Sequence, residues 1–375
     1  MKATATGLIC AACSDSTQFG IGAGTGAVAS TYQCEFTGSG GEYFRIWIVN
    51  LLLSIITLGI YSPWAKVRKN RYFYRNTRVA GSSFDYHGNP GAILKGRIIA
   101  VLLIAALSLS KQFNPKLYVV VLLLVSLILP WMITRAFSFR LHNSSWRGIR
   151  MRFHGTVTGA YLMFLLYGFL TLITLGICFP LLYRQLRLFL VNNAAFGTTR
   201  SELTISSGDV FGVFIKTIFM SIGVGIVISI AMGFLMNLLF GSLSLKAGRP
   251  SQAMFVWIGI IAIAAYLLYR VIVQSFFRTR MTNLVWDHTR LGTIRFESHQ
   301  RARDLASIIA SNALLTFITL GFYWPWARVQ LSKYYADTLL VYAPDGLNSF
   351  VADVESAVAA AGDEITEALD VDFGF

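Results

Sequence analysis

Seven stretches of the chain contain no aspartate, glutamate, lysine or arginine, and they constrain the fold more than any other feature. They are 46–65, 98–110, 117–134, 156–183, 217–245, 251–269 and 305–327. A helix that crosses a bilayer needs about 20 largely apolar residues. Six stretches meet or nearly meet that length, and residues 92–94 extend the shorter 98–110. Only 13% of the 375 residues are charged, half the roughly 25% of a soluble domain. The chain is therefore predicted to be an integral membrane protein, mainly α-helical and polytopic.

The basic residues are distributed unevenly. The chain has 32 Lys and Arg against 18 Asp and Glu, and no Lys or Arg follows Lys333. The last 31 residues hold eight of the acids, so the tail is acidic and the rest strongly basic. In a membrane protein such an excess marks cytoplasmic loops and attracts anionic lipid headgroups. The basic residues flank apolar segments and form no separate domain, so lipids are the expected partners and nucleic acid is not.

The first 30 residues and the four cysteines give no sign of a bound cofactor. Cys10 and Cys13 form a lone CxxC pair, whereas a zinc site needs about four ligands. Residues 1–30 are rich in Gly, Ala, Ser and Thr after a short apolar patch, which is unlike a signal peptide. We therefore expect a flexible leader at 1–30, a membrane domain at 31–342, and no cofactor or metal.

One short motif occurs three times. Ile-Thr-Leu-Gly ends at Gly59, Gly176 and Gly321, and a proline follows each glycine at the same distance. Two of the copies also share an upstream asparagine and a tryptophan after the proline. The second copy has Leu181 in place of that tryptophan. We expect the repeated motif to be a structural or pore element. It comprises Asn50, Thr57, Gly59, Pro63 and Trp64 in the first copy, Thr174, Gly176 and Pro180 in the second, and Asn312, Thr319, Gly321, Pro325 and Trp326 in the third.

The glycine and proline of this motif predict a break between two helices. Glycine is typical just after a helix, and Ser62-Pro63 is typical of a helix start. The second helix of the first copy is basic and aromatic, so we expect it to lie at the membrane interface. Its candidate lipid-contacting residues are Lys66, Arg68, Lys69 and Arg71.

Short polar segments between the apolar stretches predict β-hairpins. Residues 77–84, 143–153 and 288–296 each place a turn glycine between alternating apolar and polar residues, and 192–199 is a weaker copy. Because these hairpins are rich in Arg and His, we expect them at the cytoplasmic membrane face.

Two membrane topologies fit the charge pattern. Five connections are basic, and only 111–116 and 246–249 are candidates for the outer side. All five basic connections lie on the cytoplasmic side, as basic loops normally do, under two conditions. Residues 92–110 with 117–134, and 217–240 with 252–277, must be transmembrane hairpins, and the three motif segments must be re-entrant. Broken backbone at membrane depth must then be buried or line a cavity. The alternative is seven ordinary spans.

The chemistry of the chain argues against catalysis and proton coupling. The apolar stretches contain no His as well as no Asp or Glu, although proton relays place such groups inside the membrane. No nucleotide, hydrolase or metalloprotease motif is present, so we do not expect an enzyme. Asn50 and Asn312 either bond between helices or contact a ligand or pore. Trp64 and Trp326 are expected in an aromatic belt.

The tail from residue 343 predicts an amphipathic helix followed by an acidic end. Phe350, Val351, Val354, Val358 and Ala361 recur at helical spacing. The segment is either solvated or docks on the basic hairpins or on a protein partner.

The chain resembles a known family at residues 42–50, 59–67, 71–77 and 81–87, which read EYFRIWIVN, GIYSPWAKV, RYFYRNT and GSSFDYH. These residues resemble the YjgN-like family of bacterial inner-membrane proteins, and the resemblance extends over about 32–342. It implies a multi-pass protein of the bacterial cytoplasmic membrane. The family is defined as a domain of unknown function, so no catalytic residue is carried over.

Two functions fit these observations. Broken apolar segments in repeated positions resemble the broken helices of transporters, which favours a channel or facilitator for a small solute or ion. The alternative is a membrane scaffold or lipid-interacting assembly factor, with the basic helices and hairpins as a cytoplasmic platform for a second copy or another protein.

Overall fold

A computed structural model describes residues 30–247, 252–348, 350–352, 354 and 355. Residues 1–29 of the expected leader, with Cys10 and Cys13, lie outside the described residues. So does the acidic end of the tail after residue 355.

The described residues are mostly helical. Their ten helices are α1 (Gly40–Ile56), α2 (Ser62–Arg75), α3 (Pro90–Phe113), α4 (Pro115–His142), α5 (Val157–Ile173), α6 (Phe179–Asn192), α7 (Ser207–Ala247), α8 (Gln252–Asp287), α9 (Ala302–Ile318) and α10 (Trp324–Asp337). Four of them, α3, α4, α7 and α8, are long and apolar enough to cross a membrane. These four correspond to the two predicted transmembrane hairpins and support a membrane protein.

The starts of the first transmembrane hairpin follow directly from the sequence. Asn89 and Asn114 each precede a proline, and each side-chain oxygen accepts a hydrogen bond of 2.8 Å from a backbone N–H two residues later. Asparagine is a favoured N-cap, and proline suits the first helical position because it has no N–H to leave unpaired. The Asn-Pro pairs therefore determine where α3 and α4 begin.

Short strands separate the helical pairs. They are β1 (Ser30–Phe36), β2 (Thr77–Val79), β3 (Ser82–Tyr86), β4 (Ser144–Trp146), β5 (Ile149–Phe153), β6 (Ala194–Phe196), β7 (Thr199–Leu203), β8 (Thr289–Leu291), β9 (Ile294–Ser298) and β10 (Leu339–Ala343). Along the described chain the order strand, helix, helix, strand occurs five times.

The strands form one closed antiparallel barrel, which the sequence did not predict. Its order is β1-β10-β9-β8-β7-β6-β5-β4-β3-β2, and β2 pairs back on β1 through Cys34 opposite Val79. The expected β-hairpins are present as β2–β3, β4–β5, β6–β7 and β8–β9. These hairpins do not stand apart in the structure, because their outer edges pair with one another and with β1 and β10 and leave no free edge.

Tight turns close one end of the barrel, and helices leave from the other. In the β4–β5 turn, Arg147 and Gly148 have φ of 49° and 83°. Two successive positive φ values are typical of a type I′ turn, whose twist matches that of the flanking strands. Since the strands are antiparallel, the opposite end of the barrel carries all five helical pairs.

Side chains fill the barrel. The buried core includes Phe36, Val79, Trp146, Phe196 and Ile294, and Tyr43 and Val329 enter it from α1 and α10. Small barrels are commonly filled by inward-facing side chains in this way. The described interior is therefore a packed core rather than an aqueous passage.

A C-terminal segment packs into the same core. Leu347, Phe350, Val351 and Val354 are each at most 9% exposed, and their spacing places them on one face of a helix. We call the segment from Leu347 to Val354 the cap. The apolar start of the expected tail is thus docked and buried.

The helices pack in chain order around the barrel axis. Each contacts its neighbours along the chain, and α10 contacts α1. A second apolar cluster, including Leu203, Ile205, Val210 and Met281, fills the base between α6, α7 and α8. The first and third motif hairpins are therefore adjacent, whereas the second lies apart between α4 and α7.

Candidate functional site

The three Ile-Thr-Leu-Gly motifs form the ends of the three short helical hairpins. We call residues 57–59, 174–176 and 319–321 the tips. Leu58, Leu175 and Leu320 have φ between 48° and 49°, and the glycines that follow them have φ between 89° and 95°. Left-handed backbone costs a leucine about 1–2 kcal/mol. The same shape is therefore held at all three tips by the hydrogen bonds around it.

Those hydrogen bonds satisfy the backbone at each break. The Gly59 N–H donates to the Ser54 carbonyl at 2.7 Å, and Gly176 and Gly321 make the equivalent bonds. Thr57 Oγ1 donates to the Leu53 carbonyl at 2.7 Å and accepts from the Tyr61 N–H at 3.0 Å. Thr174 Oγ1 and Thr319 Oγ1 likewise donate to the carbonyl four residues earlier, and they accept from the N–H groups of Cys178 and Tyr323. The motif threonines therefore join the two helices of each hairpin.

The tips themselves are apolar and project away from the protein. Leu58 and Leu175 are each 94% exposed and Leu320 is 88% exposed. The isoleucines just before them are also exposed. Among the described residues the tips do not meet at a common central site. A break whose backbone N–H groups are all hydrogen-bonded, under exposed apolar side chains, is compatible with a lipid environment.

The motif prolines and tryptophans have different positions. Pro63, Pro180 and Pro325 are buried and occupy the second position of α2, α6 and α10. An N-cap at Ser62 would have placed Pro63 at the first position, so α2 begins one residue earlier than expected. Trp64 and Trp326 are 40% and 38% exposed, and each stacks on the tyrosine three residues before it. This half-exposure suits an interfacial aromatic residue.

Trp326 also joins the first and third hairpins. Its ring lies 5.1 Å from that of Phe44 on α1. A Cβ added to Gly40 would lie only 2.1 Å from Trp326 Cδ1. Gly40 is therefore required for this close approach of α1 and α10.

The four predicted lipid-contacting cations lie on two faces of α2. Lys66, Arg68 and Arg71 are exposed and Lys69 is half-buried. Arg68 and Arg71 follow Trp64 at intervals of four and three residues, which places all three on one face. Lys66 and Lys69 share a face with Phe73, which packs against the barrel core.

The inner face of α2 gathers positive charge. Burial lowers the pKa of the Lys69 ammonium, and Arg328 and Lys66 lower it further by repulsion. Arg328 belongs to α10 and lies over the Trp324 ring at 4.9 Å. A bound anion would stabilise the charged form of Lys69, which burial and two neighbouring cations disfavour.

The two motif asparagines are buried without complete hydrogen bonding. Asn50 is 7% exposed and Asn312 is 4% exposed. Asn50 Oδ1 and both polar side-chain atoms of Asn312 have no hydrogen-bond partner among the described residues. Unpaired buried polar groups are costly, so these amides are available to a water molecule or a polar ligand.

Three further buried polar groups were missed by the sequence. Ser275 Oγ, Thr279 Oγ1 and Gln300 Oε1 are also buried and have no partner among the described residues. Ser275, Thr279 and Asn283 recur at intervals of four, which places them on one face of α8. That spacing is the signal that could have revealed them. Asn283 is bonded to Ser298 and to the Gln300 backbone.

The described residues contain no group of three or more His, Cys, Asp or Glu side chains that could hold a metal ion. Cys34 is buried in the barrel core, and burial raises the pKa of its thiol to about 11.

Comparison with known proteins identifies the family. The family model described as "Bacterial protein of unknown function (DUF898)" matches residues 31–368. The chain is similar to the inner membrane protein YjgN of Salmonella typhimurium, with 27% identity over 353 residues, 82% of this chain and 87% of that protein. Inner membrane protein YjgN of Escherichia coli K12 is 32% identical over 145 residues, 38% of this chain and 36% of that protein. No solved structure matches the chain at a significant level. With its four long apolar helices, the chain therefore belongs to the DUF898 family and is a multi-pass bacterial inner-membrane protein.

Proposed function

We propose that this protein is a membrane scaffold that organises anionic lipids of the cytoplasmic leaflet. In this proposal two helical hairpins cross the bilayer, and three short hairpins enter one leaflet and return. The observation that carries the proposal is the tip, which combines exposed apolar side chains with a break whose backbone N–H groups are all hydrogen-bonded.

Barrel closure supports the re-entrant topology. Each short hairpin leaves from one strand and returns to a neighbouring strand: β1 pairs with β2, β5 with β6, and β9 with β10. Paired strands cannot lie on opposite sides of a membrane. This pairing supports a topology in which both flanks of each tip lie on the barrel side of the membrane.

Helix lengths support a half-inserted position. A bilayer has a hydrocarbon core of about 30 Å, so its midplane lies about 15 Å from the headgroups. At 1.5 Å per residue, Arg68 and Arg75 lie about 9 and 20 Å along α2 from Ser62. A tip near the midplane thus places the backbone of Arg71 and Arg75 close to headgroup depth. Lys66, Arg68 and Lys69 start deeper, and their long side chains would have to extend along the helix to bring their charges to the headgroups.

Charge gives the orientation. The basic connections lie on the barrel side, and Lys111 and Lys116 flank the short turn at the far end of α3 and α4. Lys and Arg collect on the cytoplasmic side. The barrel is therefore assigned to the cytoplasm, next to the anionic lipid surface.

The channel reading remains a second candidate, carried by the buried unpartnered amides of Asn50 and Asn312. The packed barrel and its cap argue for the scaffold, because they leave the described chain without a passage along the barrel axis. A solute path would therefore have to run between the helices and not through the barrel.

Lipid binding tests the scaffold directly. We expect purified wild-type protein to retain phosphatidylglycerol over phosphatidylcholine, and K66Q/R68Q/K69Q/R71Q to lose at least tenfold in that preference. Each basic residue near an anionic surface contributes about 1 kcal/mol, and salt screens part of it. The measurement is native mass spectrometry after exchange into mixed-lipid nanodiscs.

The matched control is K111Q/K116Q, which removes charge at the opposite end of the transmembrane hairpin. It should keep the preference. An unchanged preference in the four-site variant, or an equal loss in the control, would contradict the scaffold. If, in addition, N50A or N312A altered solute flux into proteoliposomes, the channel reading would replace it.

Single-cysteine labelling tests the topology. In a chain without its native cysteines, Gly41, Ser83, Thr198 and Thr293 are exposed positions on the barrel side, and Gln112 is exposed at the far end of α3. We expect the first four substituted cysteines to label only from the cytoplasm and Gln112→Cys only from outside. Gly40 is avoided because Trp326 occupies its side-chain space. Opposite labelling of Gly41→Cys and Ser83→Cys would show that the first hairpin spans.

A further inference from the structure

One side of the barrel carries a wall of arginines. Outward positions on β5 to β9 hold five exposed arginines: Arg150, Arg152, Arg200, Arg290 and Arg295. We call this surface the arginine wall. It belongs to the barrel and is separate from the tips and from α2.

The strand register concentrates these charges. Arg152 and Arg200 both lie opposite Ala195, whose small side chain separates them. Arg290 lies directly opposite Arg295, and like charges opposite each other destabilise a sheet. The wall therefore holds positive charge at a cost to the barrel.

Carboxylates on the described barrel compensate only part of the positive charge of the arginine wall. Glu202 lies opposite Arg290, and Glu297 lies 3.4 Å from His299. None of the five arginines makes an ion pair with a carboxylate in the described part of the chain. The wall is thus suited to an acidic partner.

The cap carries the end of the chain to this wall. Phe350 stacks on Phe196 at the end of β6, with ring centroids 6.2 Å apart. A Cβ added to Gly292, in the β8–β9 turn, would lie 3.3 Å from Phe350. Arg147 Nη1 donates to Asn348 Oδ1 at 2.7 Å. The described chain therefore ends beside the strands that bear the wall.

We propose that the acidic segment 363–372 binds the arginine wall of its own chain. It contains Asp363, Glu364, Glu367, Asp370 and Asp372, and no Lys or Arg follows the cap. From residue 355 to residue 363 an extended chain spans up to about 26 Å, which is enough to turn back along the outside of the barrel. The cap anchors the segment, and charge complementarity directs it.

Such docking is reversible and masks the wall. Exposed ion pairs are individually weak and are screened by salt, whereas tethering by the cap raises the local concentration of the acidic segment. With the segment bound, other polyanions are excluded from the wall. With the segment released, the barrel presents five exposed arginines whose charge its own carboxylates compensate only in part.

A double-mutant cycle tests the docking. The tail variant is D363N/E364Q/E367Q/D370N/D372N, the wall variant is R150Q/R152Q/R200Q/R290Q/R295Q, and the readout is affinity of the detergent-purified full chain for heparin. We expect the tail change to raise affinity at least tenfold with the native wall and less than threefold with the wall variant. Equal increases in both backgrounds would overturn the proposal, because they would reflect net charge alone.

Disulfide trapping gives an independent readout if the wall variant does not fold. In a chain without its native cysteines, E364C should cross-link with R200C under mild oxidation, and 0.5 M salt should weaken the reaction. The matched control is E364C with S83C, an exposed position on β3. Equal cross-linking at the two positions would overturn the proposal. So would heparin binding by wild type as tight as that of the tail variant.

Discussion

Aspartate in place of Leu58, Leu175 and Leu320 should expel the three short hairpins from the bilayer. A charged residue near the bilayer centre costs about 2.5–3.5 kcal/mol on insertion scales. A single substitution is therefore expected to shift the inserted fraction of its hairpin by about 100-fold. The leucines are at least 88% exposed within the protein, so the change removes little packing. Aspartate tolerates left-handed backbone better than leucine, so the tip should keep its shape.

The measurement is labelling of a single cysteine at Ile56, next to the first tip, by a membrane-impermeant maleimide. In the parent this cysteine should resist the reagent from both sides, and L58D should make it reactive from the cytoplasm. L58A is the control and should leave it protected. Rapid labelling in the parent would place the tip in water and contradict the half-inserted position.

Alanine in place of Trp146 should lower the free energy of unfolding by about 3–5 kcal/mol, which is typical of a large aromatic residue lost from a core. Trp146 is 6% exposed, and its ring lies 5.9 Å from Phe196 and 6.2 Å from Phe84. Its indole N–H donates to the Ser82 carbonyl at 3.1 Å. The Arg147 guanidinium lies over its ring at 4.7 Å. One substitution therefore removes contacts that join β3, β4 and β6.

Chemical unfolding in detergent, followed by tryptophan fluorescence and by limited proteolysis of the barrel, measures this effect. W64A is the matched control, because Trp64 is 40% exposed, and its loss should cost under 1 kcal/mol in detergent. Similar losses for the two variants would contradict a closed, packed barrel.

Local features of the fold were readable from particular residues. The motif glycines and prolines marked the breaks between the short helices. The turn glycines marked the four β-hairpins. Each of these signals acts within a few residues, through capping, left-handed backbone or the missing N–H of proline.

The candidate site was only partly readable. The motif threonines were grouped with structural or pore candidates, and in the structure their hydroxyls bond the helices of each hairpin together. Lys66, Arg68, Lys69 and Arg71 were expected as one lipid-contacting set, and helix geometry divides them between two faces. Arg328 lies close enough to affect the pKa of Lys69 because α10 packs beside α1, and the sequence did not indicate that contact. The arginine wall depends on which strands pair and in what register. Strands of three to five residues are too short for their sequence to indicate the strand with which they pair.

The sequence alone therefore determined that this is a membrane protein, where its long helices lie, and where its short helices break. These properties follow from runs of apolar residues and from local backbone chemistry. Only the tertiary structure decided that the hairpins close into one barrel, that the cap fills its end, and that the two flanks of each tip meet in paired strands. The closing pair, β1 with β10, joins residues about 300 positions apart, and such contacts arise from burying a common core, which no local pattern records.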